Sequence, residues 1–123
     1  MYDQHIIVPG TLRNSADGFE LGIRLPYYRG QWLSIVEDIG VTVDGTRHPR
    51  EAVRFSVRGK AYTLDAMESA TTERWEFGEV ATLSVQGAPL APGAHEVTVA
   101  EQLRISYLPW VPTTSCTQRL TLA

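Results

Sequence analysis

The chain has 123 residues, 43% of them hydrophobic and 20% charged, with a formal net charge of -3. This composition excludes a disordered or fibrous chain and sets the expectation of one domain, 1–123, burying roughly two-thirds of its unfolded surface. It argues against a nucleic-acid binder too: phosphate recognition wants a basic face, and the arginines here are scattered along the strand patterns.

Period-two alternation dominates from the start of the chain. Ile6-Ile7-Val8 predicts a short opening strand. After the Asp17-Gly18 turn, Phe19, Leu21, Ile23 and Leu25 point one way and Glu20, Gly22 and Arg24 the other. Arg24-Leu25-Pro26-Tyr27-Tyr28-Arg29-Gly30-Gln31-Trp32 then breaks the pattern, since a stretch with this proline and glycine does not continue as regular sheet. Leu33 and Ile35 begin a second strand pattern, and Ile39, Val41 and Val43 a third. Asp44-Gly45 predicts a hairpin, because glycine supplies the positive φ of a tight turn.

His48 and Pro49 fall in a polar loop. Val53, Phe55 and Val57 alternate with Arg54, Ser56 and Arg58, up to a turn at Arg58-Gly59-Lys60. Leu64 through Trp75 reads as a long loop, with Asp65–Ser69 able to form one short helical turn. Ala81, Leu83 and Val85 form the next strand pattern. Ala91-Pro92-Gly93 leads into Val97 and Val99, and Leu103, Ile105 and Tyr107 follow in phase. Leu120 and Leu122 close the chain. One apolar face per strand, repeated this often, predicts an all-β fold: a two-sheet antiparallel β-sandwich, immunoglobulin-like or jelly-roll-like.

Chemistry is sparse along this framework. His5, His48 and His95 lie on different predicted elements, and none has a second ligand at the short spacing of metal sites. His95 is in phase with Val97 and Val99 and belongs at a core edge; His48 is expected to be solvated. Cys116, the one cysteine, reads as an inert small hydrophobe. No nucleophile elbow, phosphate-cradling glycine loop or dinucleotide fingerprint appears. The carboxylate pairs Glu37/Asp38 and Glu73/Glu76 read as solvated charge in turns or on exposed faces. The reading therefore assigns this chain no catalytic residue, no metal ligand and no cofactor of its own.

The aromatic loops stand apart. Tyr27 and Tyr28 are adjacent, so in extended chain they point to opposite sides, with Arg24 and Arg29 beside them. Tyr107-Leu108-Pro109-Trp110-Val111-Pro112 is a second such segment. Trp32, Trp75 and Trp110 each sit at a strand boundary, which fits either capping of the sandwich ends or contact with a protein or a flat ligand. A single cysteine, a start without a basic and apolar leader pattern, and no apolar stretch near the ~20 residues that span a bilayer set the expectation of a cytoplasmic protein without membrane contact.

An ordered series of motifs adds a family. Leu25-Pro26-Tyr27-Tyr28-Arg29-Gly30, Leu33-Ser34 and Val41-Thr42-Val43-Asp44-Gly45 are followed by Arg74-Trp75-Glu76-Phe77-Gly78. Leu90-Ala91-Pro92-Gly93-Ala94-His95 and Arg104-Ile105-Ser106-Tyr107-Leu108-Pro109 complete it. Over nearly its whole length the chain resembles the small β subunit of bacterial C-glycoside deglycosidases. The resemblance implies a hetero-oligomeric lyase whose larger α subunit is a sugar-isomerase-type (β/α)8 barrel holding a divalent metal, manganese. That complex cleaves the carbon–carbon bond of 3-oxo-C-glucosides of the flavonoid type by proton abstraction and elimination.

On this reading the present chain supports assembly. Tyr27, Tyr28, Arg29, Trp32, Tyr107, Pro109 and Trp110 become interface or pocket-rim residues. Two rival readings are a carbohydrate-binding β-sandwich module, with its exposed aromatic residues stacking on sugar faces, and a free-standing enzyme.

Overall fold

Alternation is realised as antiparallel sheet in the computed structural model of the chain, which describes residues 5–26, 30–104, 111 and 113–122. The elements are β1 (Arg13–Ser15), β2 (Gly18–Ile23), β3 (Gln31–Trp32), β4 (Val36–Val43), β5 (Thr46–Arg47), β6 (Val53–Val57), β7 (Lys60–Thr63), the short helix α1 (Leu64–Met67), β8 (Arg74–Trp75), β9 (Ala81–Gln86), β10 (Gly93–Leu103) and β11 (Thr113–Leu122). One sheet has the order β1-β2-β9-β6-β7 and the other β11-β10-β4-β5, while β3 and β8 form a separate ribbon. The two inner faces meet in one apolar cluster. Phe19, Leu21, Phe55 and Leu83 enter it from the first sheet, and Val41, Val97, Val99 and Leu120 from the second. Each fully buried side chain of this kind contributes about 1.5–3 kcal/mol. The expected two-sheet antiparallel β-sandwich is what forms.

Two tight hairpins shape its edges. Val43 pairs with Thr46 across Asp44-Gly45, whose φ values are 50° and 84°. Val57 pairs with Lys60 across Arg58-Gly59, at 50° and 80°. Two successive positive φ angles give the loop a twist that matches the strands it joins. Asp44 also ties its hairpin to β10: its N–H donates to the Glu96 carbonyl at 2.8 Å, and its Oδ1 accepts the Glu96 N–H at 2.9 Å.

Several expectations need correction. Ile6–Val8 makes a single bridge, Ile7 to Ile23, in place of a strand, with bonds from Val8 N–H to the Gly22 carbonyl and from Arg24 N–H to the Ile6 carbonyl. Pro9-Gly10 turns the chain away before a ladder develops. Leu33–Ile35 is a 3-10 turn, not a strand; the Leu33 N–H is held by the Glu73 carbonyl, and β4 starts only at Val36. In β4 the inward series skips from Val36 to Ile39, where the register against β10 shifts between Gln102 and Leu103. That bulge carries Glu37 and Asp38, which lie in the strand rather than in a turn.

His48 is half-buried, its ring edge-on to Phe19 with centroids 5.2 Å apart, and is not freely solvated. The predicted loop from Leu64 to Trp75 is tied at both ends. Thr63 caps α1 by accepting the Ala66 N–H at 3.0 Å, the helix buries Leu64 and Met67, and β8 pairs with β3. The in-phase continuation at Ile105 and Tyr107 lies outside the described residues.

Trp75 is the large side chain on which this region closes. It is fully buried, stands edge-to-face on Phe55 at 5.0 Å, and donates its Nε1–H to the Glu79 carbonyl at 2.9 Å. Truncation leaves both a cavity and an unsatisfied carbonyl. Trp75→Ala is therefore expected to destabilise the chain by about 3–5 kcal/mol in urea unfolding.

His95 supplies a second, pH-dependent clamp. Its Nδ1 meets Asp44 Oδ2 and its Nε2 meets the Ala91 carbonyl, each at 2.6 Å. Both partners are acceptors, so both ring nitrogens donate and the ring is an imidazolium. The Ala91 carbonyl first, then Asp44, raise the His95 pKa, while the bond from His95 and the Glu96 N–H lower that of Asp44. The His95 contribution is complete below its ordinary value of 6.5 and is lost as pH rises through the raised one. The Asp44 contribution is complete above its ordinary 3.8 and is lost as pH falls through the lowered one. Thermal unfolding of Asp44→Asn should fall below wild type by the widest margin between these two ordinary values, narrowing on both sides.

Candidate partner-binding rim

Strand geometry decides which way the tryptophans face. In the β3–β8 ribbon Gln31 pairs with Trp75 and Trp32 with Arg74, so the two positions alternate between core and solvent. Trp75 goes inward. Trp32 goes outward, 43% exposed, and the Arg74 guanidinium sits 4.9 Å from its ring centroid. A cation over an indole face is attractive by about 0.5–1 kcal/mol at an exposed site, and it keeps both flat groups displayed. Arg74 Nε also reaches Glu76 Oε2 at 3.4 Å, and the Glu76 carboxylate lies over Gly30, the residue that leads into the ribbon. Phe77, just beyond, is 45% exposed.

Behind this face an ion network stiffens the 73–79 segment. Arg58 holds both oxygens of Glu79 and the Arg74 carbonyl, and Glu73 takes Lys60 and, at 3.5 Å, Arg58. Glu79 Oε1 accepts the Glu76 N–H at 3.1 Å. The bond from Lys60 lowers the Glu73 pKa; for Glu79, burial works against the charge, but Arg58 and the Glu76 N–H prevail. Glu73 is thus a structural hub, not the independent solvated charge its position suggested. Asp38 is likewise engaged, by Arg50 at 2.7 Å and Arg47 at 3.4 Å.

Arg104 closes the described stretch at the end of β10. It donates its N–H to the Ile35 carbonyl at 2.9 Å, and its guanidinium meets Glu37 Oε1 and the Ser34 carbonyl. Arg104 is thus bonded to residues 34–37, the stretch that follows Trp32. Of the predicted rim residues, Trp32 is the one the structure places. Tyr27, Tyr28, Arg29, Tyr107, Pro109 and Trp110 lie outside the described residues. Val111, which is described, is exposed.

Sequence reasoning missed two residues here. Arg74, as the cation on Trp32, becomes visible only through the cross-strand pairing. Glu101 is a buried acid, and its signal was available: it falls in phase with Val97, Val99 and Leu103.

Small-molecule chemistry finds little purchase among the described residues. One cleft of about 230 Å³ is lined by Thr11, Arg13, Glu20, Val80 and Thr82; another of about 210 Å³ lies beside Arg50, Arg54 and Asp65. Both fall short of the roughly 300–1,000 Å³ of ligand pockets. No group of three His, Cys, Asp or Glu side chains suited to a metal ion comes together among the described residues. No described helix is long and apolar enough to cross a membrane.

Comparison with known proteins is consistent along the chain. The family described as C-glycoside deglycosidase beta subunit matches residues 2–107. The 3'-dehydrocarminate deglycosidase beta subunit of a Microbacterium species is 37% identical over 109 residues, covering 89% of this chain and 83% of that one. A C-glycoside deglycosidase beta subunit from Microbacterium trichothecenolyticum is 33% identical over 108 residues, 88% of this chain and 82% of its own. One from Arthrobacter globiformis is 29% identical over 103 residues, 82% and 78% respectively. An alternating framework and this continuous similarity converge on one conclusion: the chain belongs to the C-glycoside deglycosidase beta subunit family.

Proposed function

We propose that this chain is the β subunit of a hetero-oligomeric C-glycoside deglycosidase, a lyase that cleaves the carbon–carbon bond of 3-oxo-C-glucosides of the flavonoid type in the cytoplasm. The family match over residues 2–107 carries the reading. The name of the 37% identical relative, which places a 3'-dehydro compound among the substrates of that protein, supports the 3-oxo sugar.

The chemistry is assigned to a larger subunit with a (β/α)8 barrel. A ketone at C3 acidifies the C2 proton, so a base can remove it. Electrons from that C–H bond form the C1–C2 double bond as the bond from C1 to the aglycone breaks, and the electron-rich ring of the aglycone takes up a proton in exchange. A divalent metal, manganese in our reading, belongs with the barrel. This chain contributes an anchoring surface and a wall beside the active site.

The reading predicts strict dependence on two chains. Co-expressed with its neighbouring reading frame, this protein should co-elute with the larger subunit on size exclusion, and only the pair should release aglycone from a 3-oxo-C-glucoside. Cleavage by this chain alone, or calorimetric binding of glycosides by the isolated chain, would overturn it in favour of the free-standing enzyme or the carbohydrate-binding module.

The rim assignment is tested separately. Trp32, Tyr28 and Trp110 are the aromatic anchors, the residue types that dominate interface energetics. Replacing any one by Ala should weaken assembly or lower turnover by more than tenfold, about 1.4 kcal/mol. A variant that co-elutes and turns over as wild type does is not an anchor.

A further inference from the structure

Glu101 is the one acid among the inward-facing residues Val97, Val99, Glu101 and Leu103 of β10. It is 1% exposed, and both carboxyl oxygens are buried without a hydrogen-bond partner. Across the sheet it stands opposite Ile39 of β4 and Thr114 of β11. A charged carboxylate in such a place is strongly disfavoured, so burial pushes its pKa well above the ordinary value and the free chain carries it as a neutral acid. Buried polar groups are nearly always paired, and an exception calls for a role.

Nothing described in this chain pairs with it. On β4, Glu37 is taken by Arg104, and Asp38 by Arg47 and Arg50. On β11, Arg119 is exposed and Cys116 is buried as a free thiol. On β10 itself, His95 is clamped by Asp44 and Ala91, and Glu96 is exposed. In the facing sheet, Glu20 is bound to Arg13, and Arg54 to the carbonyls of Glu51 and Val53. Lys60 of β7 is bound to Glu73, and α1 carries Asp65, bound to Arg50. Of the chain's cations, Arg29 alone lies outside the described residues. Three residues on, Arg104 is bonded to the segment that follows Trp32.

We propose that Glu101 is the acceptor for a cationic side chain, a guanidinium or an ammonium, that the larger subunit delivers on assembly, and that assembly therefore releases a proton from this chain. The exchange balances. The acid's O–H proton leaves to the buffer, the remaining carboxylate accepts N–H bonds from the incoming cation, and the buried site stays neutral overall. A cation meeting a still-protonated acid would leave its own charge buried and unpaired, so the two events are coupled. The inference rests on the β-subunit reading above, but its test is separate.

The experiment is calorimetric titration of the purified subunits in buffers of different ionisation enthalpy, which counts protons per complex. Wild type should release about one proton near neutral pH and bind more tightly as pH rises. Glu101→Gln should bind more than tenfold more weakly, with no proton released and a flat pH dependence. Arg29→Gln should release the proton as wild type does. An infrared carboxylic-acid band in chain carrying isotope-labelled glutamate provides a check independent of how well Glu101→Gln folds: it should be present in the free subunit and gone in the complex. No proton exchange by wild type, an unchanged count in Glu101→Gln, loss of release in Arg29→Gln, or survival of the acid band in the complex each overturns the proposal. Failure of the subunits to co-elute at all overturns instead the reading it rests on.

Discussion

The burial of Trp75 is the constraint on which the rim depends. Its ring packs on Phe55 in the five-stranded sheet and its Nε1–H is held by the Glu79 carbonyl, so β8 has no freedom to rotate about its own axis. Through the β3–β8 pairing, that orientation is passed to Trp32 and Arg74 one position along, which must face outward. An exposed tryptophan is thus the geometric consequence of a buried one. The same side chain that completes the core keeps Trp32 and Arg74 on the surface.

Electrostatics follows a division of labour between faces. Several outward carboxylates are matched locally: Glu79 and Glu73 by Arg58 and Lys60, Asp38 by Arg50, Asp44 by His95. Exposed pairs of this sort add little stability one by one, but linked in a network they hold loops in register. The Glu73–Glu79 segment is held this way, and it carries Trp75. Inside, the rule is apolar contact, and Glu101 breaks it. A sequence that is locally consistent elsewhere tends to break rules where function demands it.

That contrast also bears on what a sandwich of this kind leaves open at its surface. A sandwich of antiparallel sheets needs no ligand to close its core, so its loops are free to vary in chemistry. Here the β3–β8 ribbon displays Trp32 and Arg74, while the ion network of Arg58, Lys60, Glu73 and Glu79 behind it supplies rigidity. Among the described residues Trp32 and Phe77 are large side chains that face outward.

The alternating series of β2, β6, β9 and β10 were legible from the sequence, because period two is a direct consequence of strand geometry and survives any topology. The Asp44-Gly45 and Arg58-Gly59 turns were legible for the same local reason: their φ requirements are met by the residues themselves. The family, too, could be read from ordered motifs. Strand partners could not, since pairing Gln31 with Trp75 joins residues far apart in the chain and is decided by packing. For that reason Leu33–Ile35 became a turn, His48 came to rest on Phe19, and Trp75 and Trp32 could not be sorted in advance into buried and exposed. Glu101 falls between the two cases. Its inward phase was written in the alternation of β10, but the lack of a hydrogen-bond partner among the described residues is a property of three-dimensional neighbours, and only the folded sandwich decided it.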